Sequence, residues 1–475
     1  MNRALTIVAT RSAMVAVRVP LLLLLSPALS SAAVLPTCTA FVDVTVIPMD
    51  RERLLPHTTV LVRNNRIREV ISTAGATVPK DCTRIDGRDH FLIPGLIDTH
   101  THFFGYMRGG ADDIEVEKQI LRLFLANGVT TIAVMEGTPA IVSLRNDVAR
   151  DRVSGPRIYS AGRLIQMANS GAPPGRLTFT TPAEVRAEVI AEKRAGYDFI
   201  KVHGDLPAET YAALLETARQ QHIRVVGHVP NNLGIDAALT GGQAMITHAE
   251  SYLDSYFRFN RALPTDSIEI DSMVRAISAR TARAGTWVQP TLSVFRQIAT
   301  QVADFHSLID RPEMRYMPPA SVADWYPPIN PYLRNWTVRD LPMLEAQYSI
   351  MRRLVRGLRD ANVPLLAGTD DMVPAQLPGY SMKDELEQLN EAGLTPFEAL
   401  RTATSNPARF LGASSNLGMV AAGRTADLVL LEANPLDDIN NTFRQAGVML
   451  RGRWFPEATL QRALTERKHA TVGTH

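Results

Sequence analysis

The stretch Leu92–Phe103, LIPGLIDTHTHF, decides how this chain reads. Apolar residues run into His100-Thr101-His102, two imidazoles separated by a single residue. Side chains of an extended strand alternate faces, so residues i and i+2 point the same way. A strand ending here delivers both imidazoles to one side of its C-terminal end, and two converging nitrogens suit a divalent transition metal. Taken alone, the pair is equally a chance occurrence in a strand-to-loop turn. The residues downstream decide between the two.

From Ile93 onward, strand and helix patterns alternate. The predicted strands are Gly95–His100, Thr130–Met135, Arg157–Ala161, Phe199–His203, Arg224–His228, Ala244–His248, Trp287–Pro290 and Pro364–Gly368. Amphipathic stretches separate them, among them Glu115–Asn127, Pro182–Ala195, Ala208–Gln221 and Leu341–Asn362, and Gly128, Gly196 and Gly285 stand where helices should stop. Eight such units predict an α/β fold, a (β/α)8 TIM-type barrel over residues 93–412. A last helix is expected over Pro396–Leu411. Before the barrel, Phe41–Ile47, Thr58–Val62 and Arg66–Val70 read as short strands around an Asn64-Asn65 turn. After it, Ala426–Leu431 and Val448–Trp454 read as strands again. Residues 34–92 and 413–475 therefore form a small β-sandwich built from both ends of the mature chain. Two long excursions, Ser251–Ser267 and Ser293–Trp336, are expected as loops, and loops of that length over a barrel mouth read as lids or surface contacts.

The barrel strands carry polar residues at one end. Lys201 sits in the otherwise apolar FIKVH, His228 ends RVVGH, His248 ends MITH and Asp370 ends LLAGTD. Together with His100 and His102 they place ionisable groups on five strands at the end where barrel enzymes keep their reactive groups. Packing does not explain that. Two cations a few ångströms apart repel one another, so a site for them needs anionic ligands beside neutral imidazoles. Asp370 supplies one charge. A buried lysine has a depressed pKa, and its neutral amine can add carbon dioxide to become a carbamate with two donor oxygens. His203 shares the strand face of Lys201; it is either a substrate or oxyanion contact or a histidine packed behind the site. His222 and His306 have no such context and read as surface residues.

Composition excludes several alternatives. Across 475 residues, 45% are hydrophobic and 21% charged, with 50 basic against 48 acidic residues and a net charge of +2. Nothing here suggests a nucleic-acid surface. Residues 1–33 carry Arg3, Arg11 and Arg18, a leucine-rich core and Ser30-Ser31-Ala32-Ala33, the pattern of a signal peptide cleaved after Ala33, with Met14 an alternative start. The apolar core is too short to span a bilayer, so export to the periplasm or medium is expected without a stable membrane anchor. Only Cys38 and Cys82 are present, and in an oxidising compartment they are expected to be bridged.

The set His100, His102, Lys201, His228, His248 and Asp370, with AGLTPFEALRTATSNPARFLG at Ala392–Gly412 and AGRTADLVLLEANPL at Ala422–Leu436, resembles the amidohydrolase superfamily. Its nearest likeness is to the imidazolonepropionase-like branch, which includes Xaa-Pro dipeptidase-like enzymes. The resemblance implies two divalent cations, zinc by default. His100, His102 and Asp370 would hold one, His228 and His248 the other, with Lys201 bridging them as N6-carboxylysine. It further implies attack by a bridging hydroxide on an amide of a small peptide-like or N-acyl amino acid substrate, with Asp370 moving the proton. Esterase, lactonase or phosphotriesterase chemistry uses the same ligands. A non-catalytic barrel is the remaining class, disfavoured because no ligand is missing. Dipeptidases of the branch carry a Tyr shortly after the fifth-strand histidine, whereas this chain has Val229-Pro230-Asn231-Asn232. A substrate carboxylate would call for Arg or Tyr, and Arg163, Tyr252, Arg258 and Arg315 are the candidates. Small molecules or short peptides are the expected partners, and a homo-oligomer is expected.

Overall fold

A computed structural model describes residues 38–103, 113–167, 177–257 and 267–465. The expected signal peptide and Arg258 lie outside the described residues.

Strands from both ends of the chain build the first sheet: β1 (Cys38–Val46), β2 (Leu55–Arg63), β3 (Arg66–Ser72), β4 (Thr83–Asp86) and β5 (Phe91–Pro94) precede the barrel. Seven parallel strands follow in one sheet, β6 (Leu96–Thr101), β7 (Val129–Val134), β8 (Arg157–Gln166), β10 (Phe199–Val202), β11 (Arg224–Gly227), β12 (Met245–Thr247) and β13 (Trp287–Gln289), with the short β9 (Leu177–Thr178) beside β8. The chain then returns to the first sheet through β14 (Leu428–Leu431), β15 (Gln445–Leu450) and β16 (Arg453–Pro456). That sheet runs β16-β15-β14-β5-β1-β2-β3 in a single hydrogen-bonded path. Strands from both ends of the chain thus share one mixed sheet, joined through β1. Its first half pairs β2 and β4, its end pairs β5, and register shifts lie between Phe41 and Val46. Phe41, Val60, Leu92, Leu428 and Met449 are buried together against Trp454, which meets Phe41 edge to face. Cys38 and Cys82 form a disulfide across 44 residues.

The barrel's eighth position is not a regular strand. Pro364–Gly368 makes one bridge, Leu365 to Val288, and otherwise spreads its hydrogen bonds. Leu366 donates to Val288, the Ala367 carbonyl accepts from Thr99, and Asp370 donates to His100. Pro364 has no N–H to give a ladder, yet these bonds still link β13 to β6 and nearly close the barrel. Strands β6 and β7 are buried along their whole length, as expected of strands covered on both faces.

Caps fix the surrounding helices. Thr181 and Glu184 form a capping box at the start of Pro182–Ala195, with Gly196 in the left-handed conformation ending it. This helix sends Glu192 into the barrel wall, where its Oε1 accepts the Arg163 N–H at 2.9 Å. A Cβ at Gly162 would collide with that carboxyl. The register of β10 on β8 shifts there, with Phe199 opposite Ala161 but Lys201 opposite Leu164. The extra residue makes a bulge that admits the carboxyl. Burial pushes Glu192 up to about 8, with Glu188 adding to it.

The expected loop over Ser293–Trp336 is helical. Leu292–Ile309 forms a long helix with a break at Asp304, followed by a 3-10 turn at Pro312–Tyr316 and helices Pro319–Asp324 and Pro331–Asn335. Ser251–Ser267 likewise begins inside a helix, Glu250–Ser255. The expected helix over Pro396–Leu411 is two, Pro396–Thr402 and Ser405–Phe410.

Candidate metal centre

The polar residues that end the apolar strands converge. Asp370 Oδ1 stands 3.1 Å from His100 Nε2 and 3.1 Å from His102 Nε2, and its Oδ2 is 4.0 Å from His248 Nε2. Lys201 Nζ lies 3.3 Å from His100 Nε2, and the lysine is 1% exposed. The rings of His228 and His248 are 4.6 Å apart at their centroids, and those of His100 and His248 5.0 Å. All six residues line one cavity of ≈ 390 Å³, at the C-terminal ends of the strands.

Donors about 2.0–2.1 Å from a tetrahedral ion stand roughly 3.3 Å from each other. The spacing among His100, His102 and Asp370 is of that size, and their donor atoms all fall within 4.8 Å. Buried His228 Nδ1 has no hydrogen-bond partner among the described residues. The residues therefore fit divalent cations. Burial, foremost, holds His228 and His248 well below the usual imidazole range and lowers His100 to about 4, the last helped by Lys201. Neutral imidazoles are the form that ligates a metal. Burial alone would raise Asp370, but the surrounding His100, His102 and His248 bring it well below the usual carboxylate range.

Several residues that orient this set carry no motif in the sequence. Gln289, at the end of β13, places Oε1 2.6 Å from His100 Nδ1 and donates its amide to Thr99 Oγ1. Thr291, two residues on, places Oγ1 2.6 Å from His248 Nδ1. Each partner fixes which ring nitrogen is left for the centre. A Cβ at Gly368 would sit 2.7 Å from both Gln289 Nε2 and His100 Cβ, so the glycine of AGTDD admits this contact. Asp98 accepts the N–H groups of His100 and Thr369 and the Thr369 hydroxyl, and Asp371 accepts the His102 N–H at 3.0 Å. Burial pushes Asp98 up to about 7 and Asp371 well above its ordinary value. His248, Thr291 and Asp370 all have positive φ, at 63°, 47° and 52°. Strain of this kind persists where the surroundings over-determine the backbone.

His203 also lines the cavity, with Nδ1 3.1 Å from Gln166 Oε1 and its ring edge-on to His228 at 4.8 Å. Two of the substrate-contact candidates are corrected. Tyr252 is fully buried, its hydroxyl 3.2 Å from Thr281 Oγ1 in the helical layer, and burial raises it above the usual phenol range. Arg163 lies within β8 at the bulge, its side chain exposed beside Glu192. Arg315 sits over the Tyr316 ring, along a separate apolar depression with Met314 and Met317. His222 and His306 are exposed, as expected. The excursion after the seventh strand walls the cavity through Phe295, Ile298, Tyr332 and Trp336, and the helix Glu250–Ser255 adds Glu250.

Several known proteins are similar to this chain. Ochratoxinase of Aspergillus niger is 25% identical over 455 residues, covering 83% of this chain and 81% of that enzyme. Adenine deaminase 2 of Agrobacterium fabrum is 43% identical over 86 residues, only 18% of this chain and 13% of that protein. Bottromycin amidohydrolase superposes with a TM-score of 0.71 at 23% identity, over 90% of this chain and 89% of its own. A Xaa-Pro dipeptidase with methionine bound in its active site gives 0.67 at 20% identity, over 88% and 100%. These two likenesses show a shared fold. The profile of the amidohydrolase family matches residues 91–455, and the chain belongs to that family.

Proposed function

We propose that this chain is a binuclear metal-dependent hydrolase that cleaves an amide C–N bond in a small peptide-like or N-acyl amino acid substrate. The observation that carries the reading is Asp370 Oδ1 held 3.1 Å from both His100 Nε2 and His102 Nε2. His100, His102 and Asp370 would hold one cation and His228 and His248 the other, with Lys201, as its carbamate, between them. Zinc suits this N/O donor set. When bound, such a pair supplies Lewis acidity toward a carbonyl oxygen and brings the pKa of a water molecule to near neutrality.

The protein's own groups do the rest. Gln289 and Thr291 hold two imidazoles in register, and Phe295, Tyr332 and Trp336 wall the cavity. Asp370 is ionised and its Oδ2 is the oxygen turned from His100 and His102, so it can take the proton of the attacking water and return it to the leaving amine. His203, beside His228 on the cavity wall, is placed to donate to a substrate oxygen.

We also read the mature chain as exported and as a homo-oligomer. A disulfide supports an oxidising compartment. Among the described residues no helix is long and apolar enough to cross a membrane.

Initial rates on N-acyl amino acids, dipeptides, lactones and aryl phosphates test the function, each with and without prolonged dialysis against chelator. Amide hydrolysis that disappears with the metal and returns with zinc and bicarbonate supports it. Full amide hydrolysis in the metal-free protein overturns the mechanism, and activity confined to lactones or phosphates overturns the substrate class.

A further inference from the structure

The aromatic wall of the cavity is fastened at one side chain. Tyr332 and Trp336 face the candidate donors from the helix Pro331–Asn335 and the residue after it. Isolated helices shorter than about 12–15 residues are marginal in water, so this one needs an anchor. Its side chains pack with Val294, Ile298 and Val373, but apolar contact is non-directional and fixes no orientation.

Asn330 supplies the direction. It is fully buried and uses both ends of its amide. Its Oδ1 accepts the N–H groups of Tyr332 at 2.9 Å and Leu333 at 3.4 Å, which caps the helix. Its Nδ2 donates to Gln301 Oε1 at 2.9 Å and to the Trp325 carbonyl at 2.7 Å. Gln301, itself buried on the helix Leu292–Ile309, donates its own amide to the Pro374 carbonyl at 3.1 Å. Pro374 lies shortly after Asp370, between Met372 and Ala375, which hold φ at 71° and 68°. Arg311 adds a bond to the Ala375 carbonyl at 2.8 Å. Two amides in series thus join the aromatic wall to the segment that leaves Asp370.

The chemistry of the tie is specific. An amide carries an acceptor on one side of its fork and two donor hydrogens on the other. Aspartate at position 330 keeps the cap but turns a carboxylate oxygen toward Gln301 Oε1 and the Trp325 carbonyl, neither of which offers a proton. If Gln301 turns its amide over to meet that oxygen, it gives up Pro374.

We propose that Asn330 is a positioning residue of the hydrolytic site. Acting through Gln301, it holds Tyr332 and Trp336 in place relative to Asp370, and so sets where the part of the substrate beyond the scissile amide lies. The inference rests on the hydrolase reading above and adds to it a specificity determinant that does not itself line the cavity.

The test has two arms. The first follows hydrogen–deuterium exchange of the metal-loaded protein by mass spectrometry and needs no turnover. In Asn330→Asp, amides of residues 331–336 and of residues 371–379 are expected to exchange at least tenfold faster than in wild type. Gln301→Glu, which cuts the same chain at its other end, is expected to loosen the same two segments. Wild-type exchange at 371–379 in both variants overturns the tie, whatever happens at 331–336. The second arm compares kcat and KM for N-acetylglycine, N-benzoylglycine and N-acetylphenylalanine. In Asn330→Asp, kcat/KM is expected to fall at least tenfold for whichever aromatic substrate the wild type prefers and to stay within twofold for N-acetylglycine, with metal content unchanged. An equal fall for all three substrates, or loss of metal, marks a general defect and overturns the positioning role. Hydrolysis of none of them by the wild type counts against the hydrolase reading, and the first arm still decides whether the tie exists. Thermal unfolding shows whether each variant folds, and Gln301→Glu serves in both arms where Asn330→Asp does not.

Discussion

Gln289 is not among the candidate donors, yet its contact with His100 should make it a determinant of metal affinity. It is fully buried, with its Oε1 2.6 Å from His100 Nδ1. In Gln289→Leu the imidazole N–H loses its acceptor in a place that water does not reach. An unsatisfied buried donor costs about 1–3 kcal/mol, and losing the partner that orients a metal-binding histidine costs roughly 10–100-fold in affinity. The two figures agree, since tenfold corresponds to about 1.4 kcal/mol. Competition against a chromophoric chelator should therefore show one of the two cations weakened by one to two orders of magnitude and the other retained. Thr291→Val removes the corresponding partner of His248, 2.6 Å from its Nδ1, and should weaken the opposite cation. Gln289→Glu restores an acceptor and should recover most of the loss. Two wild-type affinities in Gln289→Leu would refute the reasoning, as would equal weakening of both cations in each variant.

Three further outcomes are expected. Lys201→Ala should lose tightly bound metal and at least about 10³-fold in kcat, with metal analysis and single-turnover rates as the measurements; hydrolysis retained without metal would sink the bridging role. Glu192 is raised to about 8 from an ordinary value of 4.5, so its folded form binds a proton that the unfolded chain has released. Its contribution is complete below about pH 4.5 and is lost as pH rises toward 8, by up to about 5 kcal/mol at roughly 1.4 kcal/mol per unit. Denaturant titrations at pH 5 and pH 8 should show a smaller pH dependence in Glu192→Gln, and an unchanged difference would count against the burial argument. Replacing Cys38 and Cys82 by serine opens a loop of 44 residues, worth about 4 kcal/mol by loop-closure entropy. A shift below about 1 kcal/mol in chemical denaturation would mean the sheet holds this segment unaided.

The residues that converge on the cavity were legible in the sequence because five of them close a largely apolar run and Lys201 is the one charge within another. Gln289 and Thr291 were not. Uncharged residues flanking a proline after a three-residue strand look like any loop, and only the fold brings them against His100 and His248. The helical cover was hidden by its own prolines. Pro312, Pro319 and Pro331 read as breakers, but each occupies the first turn of a short helix, where the missing N–H costs nothing. Tyr252 was misjudged for a related reason. In a loop it could have reached the cavity; on the helix Glu250–Ser255 the same turn that presents Glu250 and Asp254 faces it inward. The eighth strand had the right composition but shares its bonds among three neighbours instead of forming a ladder, and the turn at Asp370 takes the chain off the barrel wall.

The pairing of Leu428 with Pro94 and Leu431 with Phe91 has a consequence for biosynthesis. While the ribosome is still adding the barrel, β5 has a bare edge and its neighbours have nothing to complete them. That edge is sealed only after β14 has emerged, near the end of translation. Nascent chains stalled before residue 428 should accordingly stay protease-sensitive at the amino-terminal strands, however well the barrel itself has formed.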